Sequence, residues 1–60
     1  MADRLLSVKT VASRFDTTEA GMRWKIHTGE APRSAMFGGR RMFRESDVDA
    51  YIEAKFSESS

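Results

Sequence analysis

Between Thr28 and Arg44 the chain reads Thr-Gly-Glu-Ala-Pro, a short mixed run, Gly38-Gly39, and then Arg40-Arg41-Met42-Phe43-Arg44. No helix can run through this stretch. Gly29 is suited to the left-handed position that ends a helix, and Pro32 stands where the chain can no longer be helical. Gly38-Gly39 can take the positive φ angles of a tight turn, so residues 33–37 and 40–44 predict a β-hairpin. Two registers fit. A two-residue loop pairs Phe37 with Arg40, whereas a three-residue loop of residues 38–40 sets Met36 opposite Met42 and Ala35 opposite Phe43. The three-residue loop is preferred because apolar partners then share a face. In both, Arg40 and Arg41 sit at or beside the hairpin tip.

On the N-terminal side, Leu5-Leu6 precede Ser7, a good N-cap for a helix from about Val8 to Arg14 with Val11, Ala12 and Phe15 on or near one face. Thr10 stands where a full capping box has Glu or Gln. Asp16, Thr17 and Thr18 then break the pattern, because their side chains compete with helical backbone bonds. Thr17 or Thr18 caps a second helix, which runs to about Thr28. Two short helices around a three-residue turn have helix-turn-helix spacing. Behind the hairpin a third helix begins near Glu45 or Ser46, with Asp47 and Asp49 at the positive end of its dipole. Val48, Tyr51, Ile52 and Phe56 form its apolar stripe, and Ser57 to Ser60 are expected to fray. The pattern predicts a mainly α fold with a small β-hairpin: a winged helix-turn-helix occupying residues 1–60 as one domain, with an ordered core over about 5–56.

Sixty residues without cysteine leave a marginal core and no disulfide to reinforce it. One histidine, and no carboxylate pair beside a nucleophile, argue against catalytic residues, a metal site or a cofactor. The cysteine count fits a reducing cytoplasm, no signal peptide is evident at Met1, and no apolar run approaches the roughly 20 residues of a membrane span. The net charge of +1 conceals a polarity along the chain. Residues 1–19 balance to zero. Residues 20–44 carry Arg23, Lys25, Arg33, Arg40, Arg41 and Arg44 against Glu30 alone, a balance of +5, and the remainder balances to −4. A basic middle beside an acidic end suits a phosphate-facing surface with a solvated opposite side.

On the second helix Met22 and Ile26 lie about 40° apart on a helical wheel and form its buried edge, flanked by Arg23 and Lys25. Ala20, Trp24 and His27 fall on the other side. Arg23, one turn in, can reach guanine O6 and N7 in a major groove, or pair with Glu19 four residues earlier. His27 can hydrogen-bond a base or a phosphate, and is equally at home solvated. Tryptophan is usually mostly buried, so Trp24 is expected to pack against the hairpin or the third helix, with DNA or protein contact as the second choice. Gly21 costs about 1 kcal/mol in a helix interior, which suggests a close approach to DNA or to the first helix. Gly39, Arg40 and Arg41 form a wing suited to a minor groove. Lys9 and Lys25 are candidate phosphate contacts, which position a protein without reading sequence.

The order Leu6-Ser7-Val8-Lys9-x-Val11-Ala12, a turn ending in Thr18, Gly29-Glu30-x-Pro32, Gly39-Arg40-Arg41 and Phe43-Arg44-x-x-Asp47-Val48-x-x-Tyr51-Ile52 resembles the excisionase family of MerR-like winged helix-turn-helix proteins. The resemblance covers nearly the whole chain. It implies a phage or mobile-element protein in a bacterial cytoplasm, without enzymatic activity, that binds double-stranded DNA. The second helix, with Thr18, Glu19, Ala20, Arg23, Trp24 and His27, would enter the major groove and the wing the adjacent minor groove. Such proteins bend attachment-site DNA, often bind side by side, and steer an integrase toward excision; others are small transcriptional regulators. A protein-interaction module using Trp24 and Met36 is the reading from another class. Here the chain departs from the family's usual Glu at Thr10, Gly-Val/Ile-Ser at residues 16–18, Thr at Gly21, and an aromatic or aliphatic residue at Lys25.

Overall fold

The computed structural model describes residues 3–59. They form, in order, β1 (Leu5–Ser7), α1 (Val8–Arg14), α2 (Glu19–Thr28), β2 (Ser34–Phe37), β3 (Arg40–Arg44) and α3 (Glu45–Ser59). This is the winged helix-turn-helix order expected from the sequence, with a strand added at the front. Leu5 and Leu6 pair with Arg44 and Phe43, so the sheet has three antiparallel strands in the order β1-β3-β2. The central strand β3 runs straight into α3. α3 remains helical through Ser57 and Ser59, past the limit near Phe56 read from the sequence.

The helix ends follow from local side-chain chemistry. Ser7 holds extended φ and ψ of −77° and 167°, and its Oγ accepts from the Thr10 amide at 3.2 Å. Thr18 does the same for α2, accepting from the Gly21 amide at 3.0 Å, so Thr18 and not Thr17 is the cap. α2 ends with Gly29 at φ 82°, the Gly29 amide bonding Ile26 and the Glu30 amide bonding Lys25. α1 ends in the same reciprocal pattern: the Asp16 amide reaches the Ser13 carbonyl and the Thr17 amide reaches the Ala12 carbonyl. There the left-handed residue is Asp16, at φ 54°. That conformation costs a residue with a side chain roughly 1–2 kcal/mol, of which glycine's greater chain entropy would return about 0.5–1. Asp16→Gly is therefore expected to stabilise the protein by up to about 1 kcal/mol, read as a higher urea midpoint.

Gly21 answers to this turn. A Cβ built on it would lie 2.5 Å from Thr17 Oγ1 and 3.2 Å from Thr18 Oγ1, so the close neighbours are the turn threonines and not α1.

The hairpin register is the two-residue one. Phe37 faces Arg40, Met36 faces Arg41, Ala35 faces Met42 and Ser34 faces Phe43, which corrects the preference for a three-residue loop. Gly38 and Gly39 lie at φ 56° and 83°, as a type I′ turn requires of both central residues. Turn geometry prevails over apolar pairing because the face needing burial is anchored elsewhere: Phe43 packs beneath the helices while Met36 stays exposed.

Leu6, Val8, Val11, Ala12, Met22, Phe43 and Val48 form the core, with Phe15, Ile26, Ala31 and Ile52 packed against it. Tyr51 is half-buried, its ring 5.9 Å from that of Phe15. Phe56, expected in the same stripe, is 69% exposed, because α3 extends beyond the layer it packs on.

α3 has its first turn secured from the other end of the chain. The Glu45 amide donates to the Arg4 carbonyl at 2.9 Å, the Ser46 amide to Asp3 Oδ1 at 3.3 Å, and the Ser46 hydroxyl to Asp3 Oδ2. Arg14 adds an ion pair to Glu45 at 2.6 Å. The Ser46 hydroxyl holds the Asp3 carboxyl below its usual value of 3.8, outweighing the opposing effect of burial, with the Ser46 amide and Arg44 acting in the same sense as the hydroxyl. A lowered folded value means that the contact contributes fully above the ordinary carboxylate range and is lost as pH falls through the lowered one. Asp3→Asn is expected to flatten the acid limb of a stability profile below about pH 4 and to leave its neutral limb parallel to the parent's.

Candidate nucleic-acid interface

Three elements converge on one side of the molecule. The start of α1 brings Lys9, the N-terminal half of α2 brings Glu19 and Arg23, and the hairpin brings Gly39, Arg40 and Arg41; together they line a groove floored in part by Val8 and Met36. A second hollow beside it is lined by Arg23, Ile26, His27 and Arg41. Arg23 and Arg41 border both. Four cations around one carboxylate make this groove attractive to a polyanion.

The two wing arginines are not equivalent. Successive strand residues face opposite sides, so Arg41 shares the helix-facing side with Met36 and Phe43, whereas Arg40 lies with Phe37 and Met42. Arg41 is half-buried, and its Nη1 donates to Ser34 Oγ at 2.7 Å. Ser34 sits diagonally across the hairpin from Arg41 on the same face, which becomes visible only once the register is known. It was missed in the sequence for that reason. Arg40 is exposed beside the turn glycines.

On α2, Arg23 Nη2 lies 3.0 Å from Glu19 Oε2, the i,i+4 pairing anticipated as its alternative. Both side chains are well exposed, and such a pair contributes less than about 1 kcal/mol, so it can yield to a better partner. Ala20, Trp24 and His27 are also exposed. Trp24 does not pack against the hairpin or α3 as expected: it is 65% exposed, and its ring lies 5.8 Å from that of His27 at 34°. Met22, on the opposite side of the helix, fills the position beneath. Thr18 spends its hydroxyl on the cap. Lys25 lies apart from these residues, in a groove with Phe15, Tyr51, Ile52 and Phe56.

Among the described residues no group of three or more His, Cys, Asp and Glu side chains is gathered to hold a metal ion, and no helix is long and apolar enough to cross a membrane.

A family model described as a helix-turn-helix domain matches residues 5–55. No curated protein and no solved structure matches the chain. The matched span runs from β1 into α3 and takes in every element around the basic groove. The chain belongs to the helix-turn-helix domain family, which covers excisionase-like and MerR-like proteins, and is a non-enzymatic DNA-binding domain.

Proposed function

We propose that the protein is an excisionase: an accessory factor that binds attachment-site duplex DNA, bends it and directs an integrase toward excision. The observation that carries this reading is the groove shared by α2 and the wing, in which Arg23 and Arg41 border the same space. A duplex seated there meets α2 in its major groove and the wing in the adjacent minor groove, and gripping two grooves at once favours bent DNA. Thr18, Glu19, Ala20, Arg23, Trp24 and His27 present the reading face. Gly39, Arg40 and Arg41 form the minor-groove element, and Lys9, on the edge of the same groove, holds a phosphate. Copies bind side by side on repeated sites in the cytoplasm of a bacterial host, and the integrase supplies all the chemistry.

Base contacts and phosphate contacts separate in a binding assay. Arg23→Ala is expected to cost about 1–3 kcal/mol on the preferred site and little on random duplex. Lys9→Ala should weaken both alike and reduce the salt dependence by about 0.9 in log K per decade of salt. Reconstituted excision with the cognate integrase tests the role itself. Tight, site-specific binding without any effect on excision would assign the protein to transcriptional regulation, and no affinity for duplex at low salt would assign it to protein contacts.

A further inference from the structure

The reading face of α2 carries two apolar residues among its polar ones. Ala20 and Trp24 lie one turn apart on its exposed side, and the indole is 65% exposed although the core beneath it is complete. His27 lies beside it, ring to ring at 5.8 Å. A large apolar ring left in water on the face of a binding helix is an anchor for something apolar. In a major groove the choice is narrow. Base edges offer donors and acceptors everywhere except at the C5 methyl of thymine, the one apolar group displayed there. Indole carries a single N–H donor and no acceptor, so it cannot read a donor–acceptor pattern by a bidentate contact. Alanine's methyl can meet the same group.

We infer that Trp24 is a specificity-determining residue that reads a thymine methyl in the major groove, with Ala20 placed to meet a second and Arg23 a guanine. The inference rests on the DNA-binding reading above and names what that site selects. Ala20 and Trp24 are about 6 Å apart along the helix axis, close to two base-pair steps of about 3.4 Å. The preferred site therefore carries thymines about two steps apart with a guanine nearby. Arg23, loosely held by Glu19, is free to leave its partner for the guanine edge.

The test uses the full chain and the site recovered by selection from random duplexes. Each thymine in that site is replaced in turn by deoxyuridine, which removes the methyl and keeps the pairing, and cytosine is restored as 5-methylcytosine where a thymine·adenine pair is exchanged for cytosine·guanine. At one thymine the loss of the methyl is expected to weaken binding about threefold to fivefold. Trp24→Ala should abolish the difference at that thymine and keep the one at the thymine met by Ala20, while Trp24→Phe keeps part of both. Circular dichroism checks that both variants stay folded, as an exposed side chain allows. Trp24 is the sole tryptophan, so its emission should shift to the blue more on the thymine duplex than on the deoxyuridine one. Four results would overturn the inference: indifference to every methyl, methyl discrimination that survives Trp24→Ala undiminished at every thymine, a Trp24→Ala loss that is equal on selected and random DNA, or a Trp24→Ala loss confined to assays that include integrase. If the parent protein binds no duplex, the functional reading fails as well; methyl-indifferent but site-specific binding overturns this inference alone.

Discussion

Phe43→Ala is expected to leave the chain largely unfolded. Phe43 is fully buried on β3, the central strand of the sheet, in the core cluster with Leu6, Val11, Met22 and Val48. Removing a buried phenyl costs about 3–5 kcal/mol, and a single core in a chain this short rarely supplies more than about 3–5. The loss is as large as the reserve. Far-UV circular dichroism of the variant should show little helix at temperatures where the parent is folded, and urea should find no cooperative transition. Phe43→Leu, which keeps most of the apolar volume, should remain folded. A cooperative transition in the Ala variant near the parent's midpoint would mean that the sheet is not what holds the helices together.

The second large effect belongs to the wing. Replacing Arg40 and Arg41 together with Ala should remove two phosphate-directed cations, lowering the slope of log K against log salt by about 1.8 and weakening binding by tenfold or more at moderate salt. Bending in a gel-phasing assay should diminish and, on the excisionase reading proposed above, excision with the cognate integrase should fail while integration continues. The single variants should differ. Arg41 is held toward α2 by Ser34, so it meets DNA already oriented, whereas Arg40 must be ordered on binding. Arg41→Ala is expected to cost more affinity than Arg40→Ala, and Ser34→Ala to reproduce part of the Arg41 loss. Arg41→Ala also gives up a hydrogen bond of about 1 kcal/mol in the free protein, against almost nothing for Arg40→Ala. If the double variant folds and supports excision at the parent rate, the wing is not a DNA element.

Features carried by residues close in sequence were the legible ones. Ser7, Thr18 and Gly29 each mark a helix end through a bond to a backbone group three or four residues away, and each stands at the end it predicts. The presence of the hairpin was legible in Gly38-Gly39 for the same reason. What was hidden depends on distant partners. β1 is three residues long and exists because Leu6 meets Phe43, far along the chain. The hairpin register turned on which face of β3 lies under the helices, a tertiary fact that apolar pairing alone misjudged. The exposure of Trp24 and Phe56 was missed because a residue's average burial says little when the core is already filled by seven other residues. The cations of the groove were foreseen; the serine that orients one of them was not.

The tight Gly38-Gly39 connection leaves the wing no slack with which to adjust its length. Because Arg41 faces α2 only through its alternation with Phe43, inserting one residue between them would turn Arg41 outward and bring Arg40 in, unless a bulge absorbed the extra residue. Two residues added to each strand would instead carry the tip outward by about 7 Å and keep every side chain on its own side. Related chains that reach deeper or shallower along DNA should thus have wings that differ by even numbers of residues per strand, with odd lengths appearing only beside a bulge.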